Sequence, residues 1–316
     1  MGKNYYQPAN NYEKNFMMVK RFSGKITVLI LPILFFLSIA CSCYLAMFDG
    51  QLLEVSILKV VNSKLNFDFE MSFMENYGFL LDVIISGFCA YSLLYIFVKS
   101  KNSDFDSSPD FGYALIYRLS MVLLLLLGCA FVGAVFFTVM FIIRSPEKFE
   151  SIGEMFKLTV EDLKAYKISI VIILFLADAI LFVMAWFVQS QTDFLKSVRS
   201  SLVESIPKNK GAHTYGVFSM VMSIALIGVA ALVTFMYYCY QDAFSGFGID
   251  MNKTYVCVSL AHLYIRGLIP FFIAIDAFAF SAIVDESNAL GGMIFNNYDV
   301  IGDAEDPNMA RKERLR

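Results

Sequence analysis

The sequence predicts an all-α, polytopic membrane protein: a six-helix transmembrane bundle with both termini in the cytoplasm. Three observations carry this. Of 316 residues, 58% are hydrophobic and only 17% charged, with a mean hydropathy of +0.62. A soluble domain has roughly half and a quarter. The apolar residues fall into six continuous blocks, each near the roughly 20 helical residues that cross a hydrocarbon core. Lysine and arginine, finally, are divided unequally between alternate connections.

The blocks cover 26–47, 78–98, 119–143, 168–188, 217–240 and 262–284, and charged or polar residues bound them, as Arg118 and Arg144 bound the third. Inside a bilayer each backbone must satisfy its own hydrogen bonds, so blocks of this length are helices. Barrel strands would alternate, and these runs do not. Before Cys41, the run Ser38-Ile39-Ala40 resembles a cleavage site or lipobox. Ser38 stands where a lipobox has an aliphatic residue, and the apolar run continues, so the first block reads as an uncleaved helix. Residues 1–25 then form an N-terminal segment and 285–316 a tail. Counted over alternate connections, one side holds sixteen basic residues and the other eight. The excess places both termini in the cytoplasm, and the expected location is a plasma (inner) membrane. The bilayer is thus its first partner. The connection 144–167 opposes this orientation with five basic residues.

Between spans, Phe194, Val198, Leu202 and Ile206 recur every fourth residue, with Asp193, Lys196 and Arg199 off the stripe. This amphipathic pattern over 193–206 suits an interfacial helix or a docking face for a cytoplasmic protein.

Charged residues inside the spans are the candidate functional groups, because each costs about 2.5–3.5 kcal/mol at mid-span. Arg266 and Asp276 share the sixth span but lie about 15 Å apart along its axis, so each needs a partner elsewhere. By residue count from the span ends, Arg266 and Asp82 share an outer level and are candidates for an ion pair. Asp178 and Asp276 count to the midplane and form a candidate intramembrane polar site. Two acids without a base require protonation, hydrogen-bond donors, water or a bound cation. Packing glue is the competing reading.

The six cysteines have no zinc spacing, so no metal site is expected. Cys239 and Cys257 flank a short outer loop and suit either a disulfide or two buried thiols. The acidic run SDFDSSPDFG starts like a calcium loop but has Pro109 for the turn glycine and Leu115 at the twelfth position. Asn252-Lys253-Thr254 is a glycosylation sequon. P-loop, zinc-hydrolase and nucleophile-elbow motifs are absent from the sequence, so neither an enzyme nor a cofactor is expected. A net charge of −3 gives no reason to expect nucleic acid. The favoured expectation is a permease or the membrane subunit of a transport complex with Asp178 and Asp276 on its polar path. The alternative is a scaffold or sensor that binds a protein through 193–206.

Overall fold

The computed structural model describes residues 11–47, 72–102, 108–144, 149, 159–202, 211–239 and 253–304. Outside them lie most of the connections 48–77 and 144–167, the acidic run at 103–107, Ile206, Asn252 of the sequon, and the basic tail from 305. The described residues form eight helices: α1 (Asn11–Ser23), α2 (Ile26–Met47), α3 (Ser72–Lys101), α4 (Asp110–Ile143), α5 (Val160–Ala165), α6 (Lys167–Ser200), α7 (Ala212–Cys239) and α8 (Lys253–Ala304). Six of them, α2, α3, α4, α6, α7 and α8, are long and apolar enough to cross a membrane. The protein is a multi-pass membrane-spanning helical bundle.

Packing closes these six into a ring in chain order. α7 lies on α8, α8 on α2, α2 on α3, α3 on α4, α4 on α6 and α6 on α7. Consecutive helices of a chain are commonly neighbours in space. The ring is uneven, because α3–α4 and α6–α7 are its thin seams. The α4–α6 hairpin is its most lipid-facing part: only 6% of the most apolar stretch of either helix is buried, against 39% in α8.

Several helices overshoot the bilayer. α4 and α6 have 34 residues each and α8 has 52, whereas a 30 Å hydrocarbon core needs only about 20. α8 continues without a break to Ala304, through the stretch where the sequence suggests a tail. The overhang is put to use at the end of the ring that carries α1, where the main core assembles. Phe16, Val19 and Phe22 of α1 are buried there with Tyr113 and Ile116 of α4, Phe194 and Val198 of α6, and Phe280 and Val284 of α8. The Phe280 ring lies edge-on to Phe22 at 5.3 Å and to Phe194 at 5.6 Å.

Two stretches take part in this core. Within the N-terminal segment, residues 11–23 form a helix whose Phe16, Val19 and Phe22 repeat on one face. The stripe of 193–206, as far as Leu202, is likewise part of that core: Phe194, Val198 and Leu202 are all buried against the chain's own helices. That apolar face is already covered.

Small residues let the helices approach closely. A Cβ at Gly112 of α4 would lie 2.5 Å from Ile96 Cγ1 and 2.8 Å from the Ser92 carbonyl oxygen of α3. One at Gly267 of α8 would lie 2.7 Å from Ile227 Cγ1 of α7. Beside it, Pro270 lacks the N–H that would bond the Arg266 carbonyl. Ser223 Oγ of α7 donates to the Gly267 carbonyl at 2.7 Å, supporting the helix at that point.

Candidate functional site: an outer charge junction and a central cavity

The candidate residues of the spans fall in three places among the described residues. The first is a junction of α2, α3 and α8 at the end away from α1. Asp82 enters it near the start of the α3 span, and Arg266 reaches it from α8. Arg266 Nη2 donates to Asp82 Oδ1 at 2.8 Å. Asp82 Oδ2 accepts from Ser42 Oγ of α2 and lies 3.6 Å from His262 Nε2. His262 is also within hydrogen-bond distance of Ser38 Oγ (3.0 Å) and Ser42 Oγ (3.3 Å). The imidazole is almost wholly buried. Both carboxylate oxygens therefore have a donor, and the negative charge has a guanidinium beside it. His262 is a member that sequence reading did not place here. Its signal is its position four residues before Arg266, on the same face of α8.

The second place is Asp276, at the end that carries α1. Thr27 Oγ1, near the start of α2, donates to Asp276 Oδ1. Asp276 Oδ2 is buried without a hydrogen-bond partner, and the residue is 6% exposed. Lys25 is within electrostatic reach of the carboxylate and also lies 5.9 Å over the Phe22 ring. Asp276 lines a cavity of about 110 Å³ at the centre of the ring, several times the space one water needs. Every spanning helix contributes to its wall: Phe35 from α2, Cys89 from α3, Tyr113 from α4, Gln191 and Phe194 from α6, Tyr215 from α7 and Asp276 from α8, with Phe22 of α1 closing the set.

The third place is Asp178, confined to the α4–α6 hairpin. Thr138 Oγ1 donates to Asp178 Oδ2 at 2.8 Å, while Asp178 Oδ1 is buried and unbonded. The described residues of the surrounding groove all come from α4 and α6, with Phe131, Val135, Phe175 and Phe182 among them.

The structure thus brings Asp82 and Arg266 together and does not bring Asp178 to Asp276. The two mid-span acids bond different threonines, on different helices, and line separate cavities. Thr27 opens α2 at the α1 end, whereas Thr138 is near the far end of α4. Residue counting mislevelled these acids because helices of unequal overhang do not share a midplane at their middle residue. Cys239 and Cys257 do not form a disulfide either; both are free and exposed. Neither is a buried thiol, because each faces outward from its helix end. Among the described residues, no group of three or more His, Cys, Asp or Glu side chains is placed to hold a metal ion. Comparison with protein-family models, with curated proteins and with solved structures finds no match to this chain.

Proposed function

We propose that the protein is a permease, or the membrane subunit of a transport complex, whose substrate occupies the central cavity. The joint Asp178–Asp276 path is not part of this reading, since the two acids lie in separate cavities. One observation carries the proposal: a cavity lined by residues of all six spans holds a buried carboxylate, one oxygen of which has no hydrogen-bond partner. An unpaired buried polar atom costs about 1–3 kcal/mol. Such a cost at the axis of a helix ring is characteristic of ligand sites between bundle helices. The thin seams α3–α4 and α6–α7 divide the ring into a hairpin and a four-helix layer, the division along which a ring would open. The scaffold alternative has less support, because the stripe it would use is covered by α1 and α8.

Cys89 lines the cavity and provides the test. Cys41, Cys43, Cys129, Cys239 and Cys257 are replaced by alanine, and sealed vesicles of known orientation are treated with a membrane-impermeant maleimide. A transporter exposes Cys89 to reagent applied from either face. Labelling from one face only, or from neither, rejects transport and leaves a receptor or scaffold.

A further inference from the structure

We propose that the central cavity binds a small organic ammonium ion, a protonated or quaternary amine with apolar substituents. This deepens the reading above by naming the ligand class, but it is read out by binding and stands whether or not the ligand crosses the membrane.

The wall chemistry selects the class. Five aromatic rings line the cavity: Phe22, Phe35, Tyr113, Phe194 and Tyr215. Among the described residues of the wall stands one carboxylate, Asp276, with Oδ2 unbonded, and none of them is a lysine, arginine or histidine. An anion would meet a carboxylate with no cation in the wall to offset it. A neutral apolar guest would leave Asp276 Oδ2 as unsatisfied as before. A hard metal ion needs six or more oxygen ligands in the case of calcium, or near-octahedral oxygens in the case of magnesium. The wall offers too few. Beyond Asp276 its polar atoms come from Gln191, two tyrosines and a thiol, and the Tyr113 hydroxyl is bonded to Ser23 Oγ at 2.7 Å. What remains is a cation whose charge is spread over carbon-bound hydrogens. Aromatic rings attract such a cation electrostatically, and a single carboxylate neutralises it.

Lys25 supports this choice. Its ammonium lies over Phe22, a ring of the cavity wall, within electrostatic reach of Asp276. A ring of the wall therefore already carries a primary ammonium on its face. A ligand carrying its own ammonium would take over that role deeper in the cavity.

The experiment uses the full chain in lipid nanodiscs. Tetramethylammonium is the probe and neopentyl alcohol its neutral counterpart of similar bulk. Binding is measured by equilibrium dialysis of labelled probe and, independently, by protection of Cys89 from maleimide. Tetramethylammonium is expected to bind saturably and protect Cys89, and neopentyl alcohol to compete poorly. Asp276→Asn should weaken the cation by about tenfold or more, the scale of losing one charge-assisted contact. Asp276→Glu should retain most of the binding and shows that the position tolerates substitution. Three outcomes would overturn the proposal: no saturable binding by the folded wild-type chain, equal competition by the alcohol, or an Asp276→Asn variant that binds the cation as tightly as wild type. If Asp276→Asn does not fold, the competition between cation and alcohol on the wild-type chain decides alone.

Discussion

Two carboxylates meet α8 at opposite ends of the ring, and their surroundings are unlike. Asp82 has a guanidinium at 2.8 Å, a serine hydroxyl on its second oxygen and an imidazole at 3.6 Å. Asp276 has one threonine on one oxygen and nothing on the other. Three helices converge on Asp82 and give each of its oxygens a donor, while Asp276 opens on a cavity walled by all six spans. A buried charge that is fully met is part of the architecture: it fixes which faces of α2, α3 and α8 are in register. A buried charge that is half met keeps an interaction in reserve.

The largest expected effect comes from breaking the satisfied junction. Removing one partner of a fully buried pair costs about 3–5 kcal/mol, and Asp82 and Arg266 form a partly buried pair, so the cost is smaller. Arg266→Met is therefore expected to lower stability by about 2 kcal/mol, below the fully buried range, because the Arg266 and Asp82 side chains retain 28% and 16% exposure. The double variant Asp82→Asn, Arg266→Met should recover more than half of that loss. Reversed charges, Asp82→Arg with Arg266→Asp, should recover part of it. Thermal unfolding of the purified chain in detergent, run as a double-mutant cycle, measures the coupling. Strictly additive losses would remove Asp82 and Arg266 from the architecture and erase the contrast with Asp276.

Next in size is the α3–α4 seam. Gly112→Ala puts a Cβ 2.8 Å from the Ser92 carbonyl, a backbone atom that cannot rotate away, as well as against Ile96. Overpacking of this kind costs about 1–3 kcal/mol. The seam is one of the two thin contacts holding the hairpin to the remaining helices. The variant should accordingly raise proteolytic nicking of the hairpin along with lowering the unfolding temperature. An unchanged unfolding temperature would mean that the seam gives way without cost, and the ring would then be loosest there.

How much of this was legible in the sequence depends on which physical quantity each feature needs. Span existence needs only apolar length, and the six long helices follow the six blocks. The level shared by Asp82 and Arg266 needs only a count from nearby span ends, where little error accumulates. The levels of Asp178 and Asp276 need counts of ten or so residues across helices of unknown overhang, and that count failed. α1 was obscured because Lys14, Lys20 and Arg21 break the apolar run that a span search looks for. The shorter signal, Phe16, Val19 and Phe22 on one helical face, is readable only against a partner surface. The central cavity had no signal at all: its wall takes residues from seven helices, and no local pattern encodes their convergence.

At Asp276 the stability effect should be small in either direction. Asparagine keeps the group that Thr27 bonds and removes a charge that lacks a direct partner. Asp276→Asn should therefore change stability by less than about 1 kcal/mol while weakening cation binding. A loss as large as that of Arg266→Met would place Asp276 in the architecture beside Asp82, and the difference drawn between the two ends of the ring would fail.

The smallest effect is expected at Asp178, and it sharpens the comparison by separating burial from position. Asp178 resembles Asp276 in hydrogen bonding and burial: one threonine donor, one orphan oxygen, and 7% exposure against 6%. It differs in what surrounds it, since the described residues of its groove all come from α4 and α6, on the lipid-facing hairpin. Asp178→Asn should leave tetramethylammonium affinity within about twofold of wild type and shift stability by less than about 1 kcal/mol. Nanodisc dialysis on Asp178→Asn, Asp276→Asn and the double variant checks this directly. Two acids in one site would give a double variant weaker than Asp276→Asn alone. Independent acids give a double variant equal to it, and the location of a half-satisfied carboxylate, rather than its burial, is then what makes it a ligand site.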